Sequence, residues 1–306
     1  MLEATRSLCL LSTKPTPQLR SSSTRPPHLA NSPPRWHTLQ SSRLVRLAAS
    51  VSFPSNDPAC VINGGAVAGV TCFSTDHAKG LSPQGGLRPI ALGQTTPPVG
   101  PPGTVSDIVF NPSETALFVS IKGAPPTPGS IYVYPVVHGA VSATPVVSKP
   151  ATLLVDFSLN FLGSDDKAVI TDPAYGASLV DISPSYTVTV SKQIVVANEK
   201  AICWATYSDR FNSIALLDGG SPDVTLVSPE TGAITGVVAL DAANAGALDS
   251  ALDRTFMYIL RGGSAVTVLS DMGLTHGKVP TELQSLDLSA LGSRQGFQGM
   301  AIYPSS

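Results

Sequence analysis

The sequence predicts an all-β fold, and more specifically a β-propeller, from three observations. The 306 residues are 42% hydrophobic and only 13% charged, which is enough apolar material for one large domain. The chain also contains 26 Gly and 27 Pro, so it is interrupted too often for long helices and favours short strands joined by turns. The third observation is an internal repeat.

One pattern recurs five times: an apolar stretch, an acidic turn, a second apolar run, a Gly- or Pro-bearing loop and a third, alternating run. The turn acids are Asp57, Glu114, Asp165, Asp209 and Asp253, at intervals of 57, 51, 44 and 44 residues. A fourth apolar stretch follows in each copy, less clearly. Four short strands repeated every ~40–60 residues are typical of propeller blades. A β-sandwich with accidental spacing is the alternative.

Each predicted strand class has five members. The first strands, which would line the centre of the ring, are "LAASVSF", "TVSDIVF", "LLVDFSLNF", "AICWATY" and "GALDSAL". The second strands directly follow the turn acids. The third strands are "GVTCFSTD", "GSIYVYPV", "ASLVDIS", "PDVTLVSP" and "SAVTVLSD", and the fourth are "RPIAL", "VSATPVV", "TVTVSKQIVV", "AITGVVAL" and "LQSLDL". A last segment, "FQGMAIYP", is predicted to be the first strand of another blade.

The N-terminal segment differs from the repeats. Residues 1–50 contain seven Lys or Arg and one acid, and prolines interrupt any strand pattern. We therefore expect residues 1–45 to form a disordered, basic Pro/Ser/Arg-rich tail and residues 46–306 to form the propeller. A mitochondrial transit peptide is the alternative for the tail, because its composition is similar. The run "LCLL" is too short for a standard signal peptide, so none is visible.

Charge and composition exclude several classes of function. Residues 51–306 carry 12 basic and 20 acidic side chains, so nucleic acid is not an expected partner. No run approaches the ~20 apolar residues of a membrane span. His77, His138 and His276 lie in polar turns without metal-ligand spacing, and the four Cys form no C-x-x-C pair. We predict surface histidines, no metal site and no cofactor.

The repeat also predicts a polar rim. Five polar residues end the second strands and should lie on one face of the propeller: Asn63, Lys122, Asp172, Asp218 and Arg261. One interpretation is a mixed-charge ring around a polar ligand. The other is ordinary turn chemistry, because Asn and Asp favour such loops for backbone reasons alone. Lys122 and Arg261 are not turn-favoured residues, which keeps the ligand interpretation open.

Two further candidates bracket the last inner strand. Arg294 could hold a carboxylate through two parallel hydrogen bonds, with Gln298 as a second ligand-binding residue. The alternative for Arg294 is a solvated side chain at the entrance of a strand. Trp204 and Tyr207 could line the channel or pack in the core.

The first hairpin places two cysteines in register. Its centre lies near Ala66, midway between Cys60 and Cys72, so the two residues should face each other across adjacent strands. A disulfide is expected there in an oxidising compartment. Cys203 should stay outside it as a buried residue.

Five segments resemble fungal proteins named 3-carboxymuconate cyclases, relatives of the 3-carboxy-cis,cis-muconate lactonising enzyme. These segments are "VINGGAVAGVTCF", "QTTPPVGPPGTVSDIVF", "AVITDPAYGASLVDI", "AICWATYSDRF" and "GSRQGFQGMAIYP". The resemblance runs from about residue 46 to residue 306 and implies a seven-bladed propeller. Only about five four-stranded blades and one terminal strand are recognisable here, so the N-terminal blades of the family are missing from the pattern.

The resemblance implies a cofactor-free lactonising isomerase that acts on a carboxylated, muconate-type substrate. Such chemistry needs groups that hold carboxylates and groups that transfer a proton, so the catalytic candidates are Arg294, Arg261, Asp172 and Asp218. The alternative is a non-catalytic, secreted or surface binding scaffold with a cell-surface partner, since propellers host unrelated functions. In either case we expect a monomer, and the resemblance implies a location outside the cell or on its surface.

Overall fold

The computed structural model describes residues 5–7, 48–52, 58–76, 78–244, 246–253, 256–263, 265–270, 280–292 and 299–300. Within these ranges the regular elements are β-strands, apart from two short 3-10 turns at Ala242–Asn244 and Ser289–Leu291. The strands form five sheets that follow one another in chain order. The predicted all-β fold is confirmed.

The first two sheets carry extra short strands, whereas the other three have four strands each. The first contains β1 (Thr5–Ser7), β2 (Ala48–Ser52), β3 (Ala59–Asn63), β4 (Gly69–Asp76), β5 (Gly80–Pro83) and β6 (Arg88–Pro89). The second contains β7 (Val105–Phe110), β8 (Ala116–Ile121), β9 (Ser130–Val137), β10 (Ala140–Val141) and β11 (Val146–Ser148). In both sheets the last two strands pair with the same neighbour, β4 or β9.

The remaining sheets are regular antiparallel meanders. The third contains β12 (Leu159–Ser164), β13 (Lys167–Asp172), β14 (Gly176–Ile182) and β15 (Val188–Val195). The fourth contains β16 (Ile202–Ser208), β17 (Ser213–Asp218), β18 (Asp223–Val227) and β19 (Ile234–Ala239). The fifth contains β20 (Ala247–Asp253), β21 (Phe256–Arg261), β22 (Ala265–Ser270) and β23 (Glu282–Asp287).

The second, third and fourth sheets each bury both faces, and the two faces of one sheet belong to different hydrophobic cores. All six residues of β8 are buried. Its Leu117 and Val119 pack against the first sheet, whereas Ala116 and Phe118 pack against the third, as the two-residue period of a strand requires. Further cores join the third sheet to the fourth and the fourth to the fifth. A sandwich would bury one face of each sheet in one shared core, so this layered packing is that of a propeller.

Hydrogen bonds between sheets show that consecutive blades run in the same direction. Asp107 Oδ2 in β7 accepts from the Leu159 amide, which opens β12, at 3.0 Å. At the far end of the same blades, Asp165 Oδ1 accepts from the Ser113 amide at 2.9 Å. The first strands β2, β7, β12, β16 and β20 contact one another in that order. They therefore form the inner wall of the propeller.

A β-bulge recurs where the first strands begin. The register shifts between Ala48 and Ser50, and at the corresponding places in β7, β16 and β20. A bulge bends the strand and ends regular pairing, and bulges are common next to functional sites. Here each bulge lies beside the residue that ends the second strand, so it shapes the loops at that end.

Two predicted strands are shorter or divided. The stretch "RPIAL" contributes only Arg88–Pro89, and Gly80–Pro83 provides a second outer strand that was not predicted. "VSATPVV" likewise contributes Val146–Ser148 and the end of Ala140–Val141. Proline has no amide to donate to a ladder, and Pro89 and Pro145 account for these interruptions.

The chain termini are described only in part. Thr5–Ser7 pairs with Ala48–Ser52 in the first sheet. The division into a tail of residues 1–45 and a propeller of residues 46–306 stays a prediction. The rest of residues 1–45 lies outside the described residues. In "FQGMAIYP" only residues 299–300 are described, and the Met300 amide donates to Asp249 Oδ2 at 2.8 Å. The prediction that this segment is a first strand stays a prediction.

The structure joins Cys60 and Cys72 in a disulfide across β3 and β4. The two residues are directly opposite each other, the sulfurs are 2.06 Å apart and both side chains are fully buried. This is the pairing that the hairpin register predicted. Cys203 takes no part in it and is half-buried rather than buried.

We expect Asp107→Ala to lower the free energy of unfolding by at least about 2 kcal/mol, because it leaves two buried amides, those of Ile108 and Leu159, without their acceptor. Asp165→Ala is the matched control, since it removes an exposed carboxylate that also accepts an interblade amide. Its cost should be about 0.5 kcal/mol. Urea denaturation of both variants provides the comparison, and equal losses would show that burial does not govern these contacts.

Replacing Cys60 and Cys72 together by Ser should lower the free energy of unfolding by about 3 kcal/mol, from the loop entropy that the bridge removes from the unfolded chain. Cys203→Ser, which leaves the bridge intact, should cost less. Mass spectrometry of non-reduced, alkylated protein gives the direct check. Alkylation of both Cys60 and Cys72 in protein made in an oxidising compartment would refute the pairing.

Candidate functional site

The five predicted rim positions occupy equivalent places in their sheets. Asn63, Asp218 and Arg261 pair with the first residues of the inner strands beside them. Lys122 follows Ile121, which pairs with the start of β7, and Asp172 ends β13. Because consecutive blades run in the same direction, these five residues lie at one end of the propeller, which we call the rim face.

The rim residues are buried instead of projecting into an open site. Their exposed fractions are 5% for Asn63, 7% for Lys122, 4% for Asp218 and 0% for Asp172 and Arg261. Charged residues are almost never this buried unless they are paired. Their partners therefore decide what they do.

The two rim carboxylates accept hydrogen bonds from loop amides. Asp172 accepts from the amides of Leu154 at 2.6 Å, Val155 at 3.0 Å and Ala174 at 3.0 Å. Asp218 accepts from Lys200 at 2.8 Å, Ala201 at 2.9 Å and Gly220 at 2.8 Å. Each carboxylate therefore contacts two loops of its blade. One precedes the first strand of the blade, and the other follows the second strand, which the carboxylate ends.

The two rim cations and the asparagine donate to backbone carbonyls. Lys122 Nζ donates to Val105 O at 2.7 Å and lies 4.4 Å above the centre of the Phe157 ring. Arg261 donates to Gly246 O at 3.2 Å, to Asp241 O at 2.9 Å and to a threonine hydroxyl in β22 at 3.0 Å. Asn63 Nδ2 donates to the carbonyl oxygen of residue 67 at 2.6 Å. The type of each side chain thus matches the backbone group it meets.

This geometry corresponds to the turn-chemistry interpretation and extends it to Lys122 and Arg261. Burial lowers the pKa of the Arg261 guanidinium below its ordinary value, although nearby Glu282 and Asp241 oppose the shift. For Arg261 to hold a substrate carboxylate, its contacts with the loop backbone would have to break. The ligand-binding role of the rim residues stays a prediction.

The other residues that the sequence singled out lie away from the rim residues or outside the described part of the chain. Trp204 is buried, and its ring meets Phe157 edge to face with centroids 5.5 Å apart, so it packs in the core between the fourth and fifth sheets. The Tyr207 hydroxyl donates to Asn212 at 3.2 Å, at the end of the blade away from the rim face. His138 is exposed in a turn. Arg294, Gln298, His77 and His276 lie outside the described residues.

One buried acid on the rim face was missed by the sequence reasoning. Asp156 lies just before β12, is 0% exposed, and neither of its carboxylate oxygens has a hydrogen-bond partner of good geometry. Burial raises the pKa of Asp156 well above its ordinary value, and the proximity of Asp172 raises it further. Lys122 and the amides of Asp156 and Gly123 act in the opposite direction. The available signal was a carboxylate inside the apolar run "LLVDFSLNF".

Glu199 adds a fourth acid to this part of the rim face. It is half-buried and its Oε2 accepts from the Ile202 amide at 3.1 Å. Burial raises the pKa of Glu199, and the neighbouring Asp218 and Asp172 contribute to the shift. Asp156, Asp172, Glu199 and Asp218 therefore make this region acidic. Burial raises the pKa values of Asp156, Asp172 and Glu199, and carboxyls of this kind hold their protons above the ordinary carboxylate range, which suits general acid–base chemistry.

No group of three or more potential metal ligands occurs in the part of the chain that the structure describes. Nor does any helix there have the length and apolar character needed to cross a membrane. An open groove of about 540 Å³ lies on the outer strands, between β11 and β15. Lys149 is the charged residue of its lining, which also contains Ser148 and three threonines.

Comparison with known proteins places the fold. No family model matches the sequence, and no curated protein matches it. A structure from Bacteroides fragilis NCTC 9343, described as a "putative 6-phosphogluconolactonase", is 13% identical with a TM-score of 0.56, over 77% of this chain and 69% of that chain. A protein from Lactobacillus plantarum is 13% identical with a TM-score of 0.57, over 79% and 73% of the two chains.

A "putative 6-phosphogluconolactonase" from Bacteroides uniformis ATCC 8492 is 12% identical with a TM-score of 0.57, over 78% of this chain and 74% of that chain. The chain folds as a β-propeller. At these identities the likeness supports the fold and leaves activity open. The resemblance to 3-carboxymuconate cyclases stays a prediction.

We expect Asp218→Ala to lower the free energy of unfolding by about 2–4 kcal/mol, because three loop amides lose their acceptor. Asp241→Ala is the matched control, because its exposed carboxylate accepts only the Ala243 amide among the contacts described, and it should cost about 0.5 kcal/mol. Urea denaturation measures both. Unchanged or increased stability of Asp218→Ala would indicate a strained functional carboxylate instead of a structural one.

Proposed function

We propose that the protein carries out lactone chemistry, closing or opening a ring ester of a small acidic substrate at the rim face. The observation that carries this proposal is the agreement of two independent likenesses. The sequence resembles lactone-forming enzymes, and the fold resembles structures described as putative 6-phosphogluconolactonase. The first would close a lactone and the second would open one, so a lactone is their common element.

The finer form of the proposal is cycloisomerisation of a carboxymuconate. One substrate carboxylate adds to a conjugated double bond, forming the ring C–O bond, and the neighbouring carbon takes up a proton. Lactone opening instead adds water to the ester carbonyl and breaks the ring C–O bond, which releases an acid. Neither reaction changes the overall oxidation state, so acid–base and carboxylate-holding groups can supply the chemistry without a cofactor.

Arg294 is the group we assign to the substrate carboxylate, with Gln298 as a second ligand-binding residue. An arginine binds a carboxylate through two parallel hydrogen bonds, which fixes orientation as well as charge. The acids of the rim face would supply the proton, and the half-buried Glu199 is suited to that role because burial raises the pKa of its carboxyl. Among the described rim cations, Lys122 and Arg261 already donate to backbone carbonyls, which favours Arg294 for this role.

The disulfide supports a location outside the cell or on its surface. Cystines persist in oxidising compartments and are rare in the cytosol, and Cys60–Cys72 is fully buried within the first blade. We propose a secreted or cell-surface protein that acts as a monomer on a small carboxylated molecule.

A non-catalytic binding scaffold is the second candidate. It is favoured by one observation: all five rim side chains are buried and bind the backbone of their own blades, so the described part of the rim face presents few polar side chains to a substrate. A propeller of this kind would bind a cell-surface partner through its loops.

Two assays on the purified full chain separate these candidates. Turnover of 3-carboxy-cis,cis-muconate changes its ultraviolet absorbance, and opening of 6-phosphogluconolactone releases acid that a pH-stat records. Activity in either assay supports lactone chemistry, and activity in the first supports the finer proposal. Inactivity in both, from protein with a cooperative unfolding transition, would overturn the lactone proposal and favour the scaffold.

On an active preparation, Arg294→Ala should lower kcat/KM by about 100-fold or more, because a charge-assisted pair worth about 3 kcal/mol is lost. Arg210→Ala, which removes an exposed arginine next to Phe211, should leave kcat/KM within about twofold. Full activity of Arg294→Ala would remove this residue from the site.

A further inference from the structure

The loop of residues 123–129 lies directly against the segment that carries Asp156. The Gly129 amide donates to Leu153 O at 2.8 Å. A Cβ placed on Gly129 would fall 1.5 Å from Asp156 Oδ1, and a Cβ placed on Gly123 would fall 2.1 Å from Leu154 O. Only glycine fits at either position. The loop therefore covers the Asp156 carboxyl with backbone and leaves no side chain between them.

An ionised carboxylate is poorly accommodated in this contact. Asp156 is fully buried and neither oxygen accepts a hydrogen bond of good geometry, so charge on it would lack the donors that water supplies. Asp156 Oδ1 lies where a Cβ on Gly129 would be, so the carboxyl packs directly against the Gly129 backbone. A neutral carboxyl avoids most of this cost, because burial penalises mainly the charged form.

The charged and titratable groups that face Asp156 come from two neighbouring elements. Asp172, at the end of β13, opposes ionisation of Asp156. Lys122, which follows β8, favours it, but the Lys122 Nζ already donates to Val105 O and lies over the Phe157 ring. Tyr175 also interacts with Asp156, and burial raises the pKa of its own hydroxyl. Ionisation in place would require Lys122 to leave its present partners.

We propose that Asp156 is a proton-controlled latch: its neutral carboxyl keeps the loop of residues 123–129 closed on the rim face, and loss of the proton releases that loop. Release would expose Asp156 and Lys122 between the second and third blades. The inference is independent of the proposed lactone chemistry, because it concerns the state of a loop and not a reaction.

The direction of the pH dependence follows from the state that the fold prefers. The pKa of Asp156 is higher in the folded protein than in the unfolded chain, so the folded state favours the protonated group. Its contribution to stability is complete below the ordinary carboxyl pKa and is lost as pH rises through the raised value. The latch is closed at low pH and opens as pH increases.

The structure supplies its own reporter for this transition. Phe157 follows Asp156 and meets the Trp204 ring edge to face, with centroids 5.5 Å apart. Movement of the Asp156 segment should therefore change the fluorescence of Trp204. The chain has two tryptophans, so Trp36→Phe isolates the signal.

The experiment follows Trp204 fluorescence and Gly129 amide exchange by NMR in the full chain, from about pH 5 to about pH 9, where buried carboxyls titrate. We expect one transition in both signals. Exchange at Gly129, corrected for its intrinsic pH dependence, should accelerate at least about tenfold across it. Asp156→Asn should abolish the transition and keep Gly129 protected, whereas Asp172→Asn should lower its midpoint because a neighbouring negative charge is removed.

Asp181→Asn is the control, since it removes an exposed charge from the same sheet, and it should leave the midpoint unchanged. Gly129→Ala should lose the protection of the loop at every pH, because its Cβ cannot coexist with Asp156. The proposal fails if wild type shows no transition, or if the transition survives in Asp156→Asn. It also fails if Trp204 responds while Gly129 stays protected, because Lys122 would then have neutralised Asp156 in place.

Discussion

The loops that lead into the inner strands contain amides and carbonyls that have no hydrogen-bond partner in a strand. The need to pair these groups determines which side chains stand on the rim face. These loops are partly buried between consecutive blades, where an unpaired amide or carbonyl costs free energy. In the second to fifth sheets, one side chain at the end of the second strand supplies a partner there. Asp172 and Asp218 meet amides, whereas Lys122 and Arg261 meet carbonyls. The need to pair the loop backbone is therefore sufficient to explain why the rim residues are polar, without a ligand.

The same principle links neighbouring blades. Asp107 accepts the amide of Leu159, which begins the next inner strand, so a carboxylate replaces the sheet pairing that separate blades cannot make, and Asp249 accepts the amide of Met300. Ser120 donates to Phe157 O between the second and third sheets, and Thr171 donates to Cys203 O between the third and fourth. Between these polar contacts the blades bury alternate faces in separate cores, so that each sheet depends on both neighbours. Because each blade packs against its neighbours in the same way, the same pattern of apolar residues recurs in every copy, and the repeat is visible in the sequence.

The sequence was most informative where local chemistry is periodic. Strand alternation and the turn acids located five sheets, and the symmetry of the first hairpin located Cys60 opposite Cys72. The outer strands of the first two sheets were less predictable, because Pro89 and Pro145 interrupt pairing that only tertiary structure can rearrange. The rim positions were located correctly, but a residue type at a turn does not reveal whether its side chain meets solvent or backbone.

Asp156 was beyond the reach of sequence reasoning for a different reason. Its environment is created by Gly129 and Lys122 of the preceding blade and by Asp172 of its own, and no local pattern brings these residues together. The chemistry of a propeller is concentrated at such junctions, because there side chains from different repeats share one space. This also explains why the fold alone leaves the reaction open.

The central claim is that buried side chains at the rim satisfy the backbone of the loops, and native-state hydrogen exchange tests it most directly. The amides of Leu154, Val155, Lys200 and Ala201 lie outside any strand and donate to the carboxylates of Asp172 and Asp218. We predict that these four amides are protected to a degree comparable with strand amides of the same blades. Exchange at the rate of an unstructured peptide would show that the carboxylates do not hold the loops, and would contradict this account of the rim.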